Sequence, residues 1–410
     1  MPEAVIVATA RSPIGRAFKG SLKDVRPDDL ATTIIRAALD TVPALDPMDI
    51  DDLMLGCGLP GGEQGFNLAR IVAVLLGYDH LPGVTLTRYC SSSLQTSRMA
   101  LHAIKAGEGD VFISAGVELV SRFVKGNSDS LPDTQNPAFG EARERTAGVA
   151  ESGADWWSDP RLDERLPDAY ISMGQTAENL ARLKDVSRED MDVFGVRSQN
   201  LAEKAIANGF WEREITPVTT PDGTVVSADD GPRPGVTLEA VRALKPVFRP
   251  DGRITAGNCC PLNDGAAAVI IMSDRKAAEL GLTPLARIVS TGVTGLSPEI
   301  MGLGPVAASQ QALARAGMSI ADMDLIEINE AFAAQVIPSY RDLGLSDEEA
   351  DAKLNVHGGA IAIGHPFGMT GARITGTLLN GLQTRDATFG LETMCVGGGQ
   401  GMAMVIERLS

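Results

Sequence analysis

The same local pattern is written twice, once in the first third of the sequence and once in the last. An amphipathic run from Leu30 to Leu39 leads through a turn holding Met48 and Ile50 into an apolar stretch from Asp52 to Gly56. Much later, Ser309 to Ala316 leads through Met318 and Ile320 into Asp324 to Ile328. In both places a helical period gives way to a short apolar run behind an acidic residue, which predicts a helix followed by a buried strand. A second pair follows. Ser93 to Ala106 reads as a helix and Val111 to Val117 as a strand. Thr370 to Leu382 reads as a helix, with strands at Ala387 to Met394 and Met402 to Glu407 on either side of a glycine turn. The opening MPEAVIVATA predicts a first strand. Helices and strands alternating in this way require a parallel or mixed sheet with helices on its faces. The duplication predicts an α/β protein of two similar halves stacked on each other.

The stretch from Ser121 to Pro250 is different. It holds Trp156, Trp157 and Trp211 with many Pro, Asp and Arg, and shows little periodicity as far as Asp168. Helices are predicted beyond it, over Gly174 to Leu183 and Arg188 to Asn208. A long irregular insertion of this kind serves as a lid or binding loop more often than as a linker. The division predicted is residues 1–120 with 251–275 as one half, 121–250 as an inserted loop domain, and 276–410 as the other half. At 410 residues and 44% hydrophobic, the chain is long enough for such units, typically about 100–200 residues each.

The net charge of −17 argues against nucleic-acid or anionic-membrane partners, which need basic patches. An anionic small molecule must find a local basic pocket against the overall field. The cysteines are Cys57, Cys90, Cys259, Cys260 and Cys395. An odd count without a basic, apolar leader predicts free thiols in a reducing cytoplasm rather than a disulfide framework. No run reaches the ~20 apolar residues of a membrane span.

Three segments carry chemistry. Cys90 in TLTRYCSSSLQ follows an apolar run and opens a predicted helix, where the dipole and free amides are expected to lower a thiol pKa. His365 in GGAIAIGHPFGMTG is the histidine in the densest glycine context. Cys395 in ETMCVGGGQG ends a predicted strand before three glycines whose amides can turn toward an oxygen. Each cysteine taken alone is a buried strand-end residue, and the histidine alone a satisfied structural one. Together they supply a nucleophile, a base and a second thiol for passing an acyl group between sulfurs. His357 and His102 read as structural. Adjacent Cys259 and Cys260 lack companions at metal-ligand spacing and read as small buried groups, as does Cys57. No metal is predicted, and no phosphate-loop or dinucleotide fingerprint is present.

The wording of these segments, with NEAF at Asn329 to Phe332 and VIVATARSPIG near the start, resembles the thiolase family over essentially the whole chain. The resemblance implies a five-layered αβαβα fold of two βαβαβαββ halves, an insertion covering coenzyme A, and thiolytic cleavage of 3-ketoacyl-CoA through an acyl-Cys90 intermediate. It implies His365 as base and oxyanion donor, Cys395 as acid and base, Asn329 as holder of a water at a second oxyanion site, and the amide of Gly397 with that of Cys90 as the first. Arg233 aligns with a residue beside the adenine, and Phe248, Met173 and Met301 with pocket walls. Coenzyme A and acyl-CoA are then the only ligands expected, and a homodimer or homotetramer the assembly.

Three departures concern substrate. Ser172 stands where short-chain members commonly have His, Ser93 where the nucleophile turn usually has Gly, and Cys260-Pro261 where a Ser-Gly usually contacts pantetheine. They predict a degradative enzyme with a wider acyl range than acetoacetyl-CoA. Alternatives are biosynthetic formation of acetoacetyl-CoA, a ketoacyl-synthase type of condensing enzyme, and an inert acyl-CoA-binding scaffold. The pairing of Cys395 with a single Gly-His-Pro histidine speaks against a synthase, and the intact set of three against a scaffold.

Overall fold

The computed structural model describes residues 1–125, 134–152 and 157–410. Trp156, placed in the insertion above, lies outside the described residues. The strands are β1 (Ala4–Arg11), β2 (Gly15–Arg16), β3 (Asp52–Gly56), β4 (Gly83–Leu86), β5 (Val111–Leu119), β6 (Val218–Thr219), β7 (Val225–Val226), β8 (Asn263–Ser273), β9 (Ala286–Gly295), β10 (Leu325–Ile328), β11 (Phe389–Val396) and β12 (Gln400–Arg408). All except the β6–β7 hairpin join one mixed sheet, in the order β10-β11-β12-β9-β1-β8-β5-β3-β4 with β2 beside β8. The two halves of the sheet join where β1 pairs with β9, at Val5–Arg287 and Ile6–Ala286.

The helices are α1 (Pro27–Asp40), α2 (Leu68–Leu76), α3 (Ser92–Ala106), α4 (Gly140–Ser152), α5 (Met173–Leu183), α6 (Arg188–Ala207), α7 (Leu238–Arg242), α8 (Asp274–Glu279), α9 (Gly304–Ala316), α10 (Ala333–Asp342), α11 (Asp347–Lys353), α12 (Ala360–Ile363) and α13 (Thr370–Arg385). Strand alternation sorts side chains into three cores. Ile6 of β1 and Met394 of β11 share a central core with Leu94 of α3 and Leu378 of α13. Val5 and Val7 point the other way, onto α1 and α2. Leu391 and Cys395 point the other way in the second half, among residues of α9 and α10. The layers are therefore helix, sheet, helix, sheet, helix, the order expected from the resemblance.

The central helices approach closely. A Cβ on Gly371 of α13 would lie 2.3 Å from the Leu94 nitrogen of α3. The hydroxyl of Ser93 accepts the Ala372 amide at 2.9 Å. This accounts for the serine at a position where glycine is usual: its side chain takes up an amide in the first turn of α13.

The described residues of 121–250 contain two helices that periodicity did not reveal, α4 and the short α7. In α4 only Ala142 is buried, so the helix lacks the apolar stripe by which a sequence announces one. The rest of the insertion is anchored to β1 by Arg11. Its Nε donates to Glu214 at 3.0 Å and its Nη atoms to Asp229 at 2.8 and 3.0 Å. All three side chains are almost fully buried. Replacing Arg11 by Met leaves two carboxylates buried without a cation. Such a loss typically costs about 3–5 kcal/mol, so Arg11→Met is expected to lower the urea midpoint markedly, and an unchanged midpoint would remove this anchor from the account.

Candidate active site

Cys90 lies in a single helical turn, Tyr89–Ser91, between β4 and α3. Tyr89 holds φ at +44°, a left-handed conformation that a tyrosine seldom adopts. Arg88 fixes the turn from both sides, donating Nε to Gln95 Oε1 at 3.0 Å and Nη1 to Gln400 Oε1 at 2.7 Å. Gln400 closes the glycine turn after Cys395, where Gly398 and Gly399 have φ of +73° and +80°. The turn brings Gly397 against Tyr89, whose ring would lie 3.3 Å from a Cβ there. The Gly397 amide hydrogen-bonds toward the Cys90 sulfur.

The sign of the Cys90 shift corrects the expectation from sequence. Burial dominates and pushes the thiol up to about 12, with the Glu118 carboxylate adding to the rise. The amides of Gly397 and of Cys90 itself pull the other way but do not prevail. The thiol is 8% exposed, so water does little to stabilise a thiolate. Cys395 is fully buried and also raised well above the thiol range, by burial first and by its nearness to Cys90 second. Cys260 is raised by burial, then by Cys259, Cys90 and Cys395, which brings a third thiol into the electrostatic reach of the other two.

His365 is buried, and burial with help from Arg373 depresses it to about 3, so the ring rests neutral. Thr370 Oγ1 donates to Pro366 O at 2.7 Å and lies 2.6 Å from His365 Nδ1. With its only proton already given, the hydroxyl accepts from Nδ1–H. The ring lone pair then sits on Nε2, 3.3 Å from Asn329 Nδ2. The Oδ1 of Asn329 is buried with no hydrogen-bond partner among the described residues. The neighbouring Glu330 accepts from Ser198 Oγ at 2.6 Å, Asn355 Nδ2 at 2.9 Å and the Ile361 amide at 3.1 Å.

Two residues overlooked in the sequence shape the site. Thr370 sets the histidine tautomer, and its place five residues beyond His365 was the available signal. Glu118 carries none: it sits near the end of a fully buried strand, and its partners lie in distant loops. Its carboxylate accepts the amides of Gly58 at 2.6 Å, Leu59 at 3.2 Å and Gly368 at 2.8 Å. It thereby ties the loop after β3 to the loop bearing His365.

A cavity of about 480 Å³ opens beside Cys90, with Leu59, Tyr170, Met173, Phe367 and Gly397 in its walls. Of the other expected contact residues, Arg233 and Cys260 line a separate groove of about 150 Å³. Arg233 is exposed there. Phe248 packs edge-on to Phe332, with ring centres 6.3 Å apart. Met301 is buried in the same core as Phe332. His357 stacks on Phe210 at 3.6 Å, in keeping with a structural role. No group of His, Cys, Asp and Glu suited to a metal occurs among the described residues.

The buried imidazole makes a pH prediction. Above pH 6.5 it is neutral whether the chain is folded or not. Below that, the unfolded chain takes a proton that the folded ring refuses until about pH 3. Stability therefore falls by about 1.4 kcal/mol per pH unit on this residue's account. Measured by urea unfolding, His365→Asn is expected to flatten the decline below pH 6.5 relative to the parent; an identical slope would contradict the burial argument.

The thiolase N-terminal domain matches residues 4–275 and the thiolase C-terminal domain residues 282–408. A 3-ketoacyl-CoA thiolase of Saccharophagus degradans is 44% identical over 413 residues, covering 99% of this chain and 98% of the relative. The 3-oxoadipyl-CoA/3-oxo-5,6-dehydrosuberyl-CoA thiolase of Escherichia coli is 44% identical over 417 residues, covering all of both. The crystal structure of Bacillus anthracis acetyl-CoA acetyltransferase has a TM-score of 0.84 at 38% identity, over 100% of this chain and 99% of that one. Two family domains in order, full-length relatives and the shared architecture agree: the chain belongs to the thiolase family.

Proposed function

We propose that this protein is an acyl-CoA C-acyltransferase that cleaves 3-ketoacyl-CoA with coenzyme A, yielding acetyl-CoA and a shortened acyl-CoA. One observation supports the reading: within a chain that matches both thiolase domains, a cavity opens beside Cys90 and Gly397 with Phe367, two residues beyond His365, in its wall.

Groups that rest neutral exchange a proton only as the substrate takes up charge. His365 accepts the Cys90 proton while the sulfur attacks C3 of the ketoacyl group. The negative charge passes to the carbonyl oxygen, between the amides of Cys90 and Gly397, where preorganised donors contribute most. The C2–C3 bond breaks, leaving the acyl group on Cys90 and the enolate of acetyl-CoA. Protonated His365 and Asn329, the latter through a water, steady that enolate, and Cys395 protonates its carbon. The Cys395 thiolate then takes the thiol proton of a second coenzyme A. The new thiolate attacks the acyl-Cys90 thioester, and the departing Cys90 sulfur recovers its proton from His365. Two half-reactions through one covalent intermediate give ping-pong kinetics.

Arg233 and Cys260 are assigned to the coenzyme A side, the exposed guanidinium supplying local positive charge in an acidic protein. Met173, Phe248 and Met301 are assigned to the acyl side. Ser172 lines the cavity beside Cys90 in place of a bulkier imidazole. With the room there, this supports a degradative enzyme accepting chains longer than acetoacetyl. Among the described residues the edge of β4 opposite β3 has no neighbour in the sheet, which supports pairing with a second copy.

Two variants test the division of labour. Cys90→Ser is expected to fold and to lose thiolysis by at least about 1,000-fold, because a hydroxyl is a far weaker nucleophile. Cys395→Ala should also lose turnover, yet leave Cys90 open to iodoacetamide in a peptide-mapping experiment. Substantial activity in Cys90→Ser would refute the assignment. Thiolysis across C4 to C16 substrates, followed by loss of enolate absorbance, tests the acyl range; strict C4 selectivity would defeat that part.

A further inference from the structure

The wall of the acyl cavity is held from a distance by one buried carboxylate. Glu299 lies in the turn Pro298–Leu303, which precedes α9 in the C-terminal half, and is 4% exposed. Three donors from the insertion converge on it. Arg145 of α4 gives Nη2 to Oε1 at 3.1 Å, Trp157 gives Nε1 to Oε2 at 2.7 Å, and the amide of Asp168 bonds Oε1 at 2.8 Å. The backbone oxygen of Glu299 also accepts Asn179 Nδ2 from α5 at 3.0 Å.

The tether leads straight to the cavity. Asp168 turns its own carboxylate onto the Tyr170 amide at 2.9 Å. Ala169, Tyr170, Ile171, Ser172 and Met173 then follow as consecutive lining residues beside Cys90. Glu299 itself is not among the lining residues. Removing the shared acceptor takes from the Trp157 indole N–H its bond to Oε2 and from the Asp168 amide its bond to Oε1, while Arg145 keeps Glu141 and the Leu166 oxygen. Nothing else among the described residues joins α4, Trp157 and the start of this wall through one group.

We propose that Glu299 is a positioning residue for acyl-group selection: its carboxylate pins the insertion to the C-terminal half and so fixes the Ala169–Met173 wall at the distance that a medium-length acyl chain fills. The inference rests on the thiolase activity proposed above. A two-carbon acyl group on Cys90 occupies only the space next to the sulfur, whereas a longer chain lies along the wall. Loosening the wall therefore penalises long chains selectively.

The test compares Glu299→Ala and Glu299→Gln with the parent, using acetoacetyl-CoA and 3-oxooctanoyl-CoA in thiolysis. In Glu299→Ala, kcat/KM for 3-oxooctanoyl-CoA is expected to fall at least about 10-fold further than for acetoacetyl-CoA, chiefly through KM. The rate of iodoacetamide labelling at Cys90 should stay at the parental value, since the sulfur and its neighbours are untouched. Glu299→Gln retains an acceptor for the Asp168 amide and should recover most of the parental preference. Equal losses for both substrates, or no change, would overturn the inference and leave the function standing. Failure of the parent protein to cleave either substrate would overturn the functional reading and this inference together.

Discussion

The site depends on the contact between α3 and α13. These helices lie between the two halves of the sheet, and their first turns meet backbone to backbone, at Leu94 and Gly371, with Ser93 accepting the Ala372 amide. Each helix begins within five residues of a candidate catalytic residue, Cys90 in one half and His365 in the other. Packing the two N-terminal turns together therefore brings the preceding loops together. Glu118 reinforces the arrangement by taking amides from both loops into one carboxylate. The loops bearing the candidate catalytic groups are registered by helix packing and one buried carboxylate rather than by any local motif.

Burial sets the electrostatic character of the pocket. The same desolvation raises the Cys90 and Cys395 thiols and lowers the His365 imidazole, which disfavours a thiolate–imidazolium pair before substrate binds. A preformed ion pair would be stabilised in the ground state as well as in the transition state, and only the difference accelerates a reaction. In the proposed mechanism, a neutral site reserves its amide dipoles for the oxygen on which charge develops. The tight glycine turn after Cys395 places one of those amides, and Arg88 braces it by reaching from the nucleophile turn to Gln400.

The duplicated helix–strand pattern made the architecture legible, because buried strands and amphipathic helices leave their periods in the sequence. The predicted strand from Asp52 to Gly56 coincides with β3, and the long helices differ from the predicted ones only at their ends. The helix α4 was hidden for the converse reason: it buries almost nothing. Cys90, His365 and Cys395 were conspicuous in glycine- and serine-rich turns. Glu118 and Glu299 were not, since their significance lies in partners far away in the chain. The direction of the Cys90 shift was misjudged because a helix start is visible locally and depth of burial is not. The roles of Cys260 and Arg233 were read from alignment, and the structure sets them in a groove apart from the Cys90 cavity.

The central claim is that one sulfur becomes acylated and the other only moves protons. Brief incubation with 3-oxooctanoyl-CoA without added coenzyme A, acid quenching and peptide mass mapping tests it directly. The account predicts a hexanoyl mass increment on the peptide containing Cys90 and none on that containing Cys395. An acyl group on Cys395, or none on either peptide while the enolate absorbance is consumed, would contradict it.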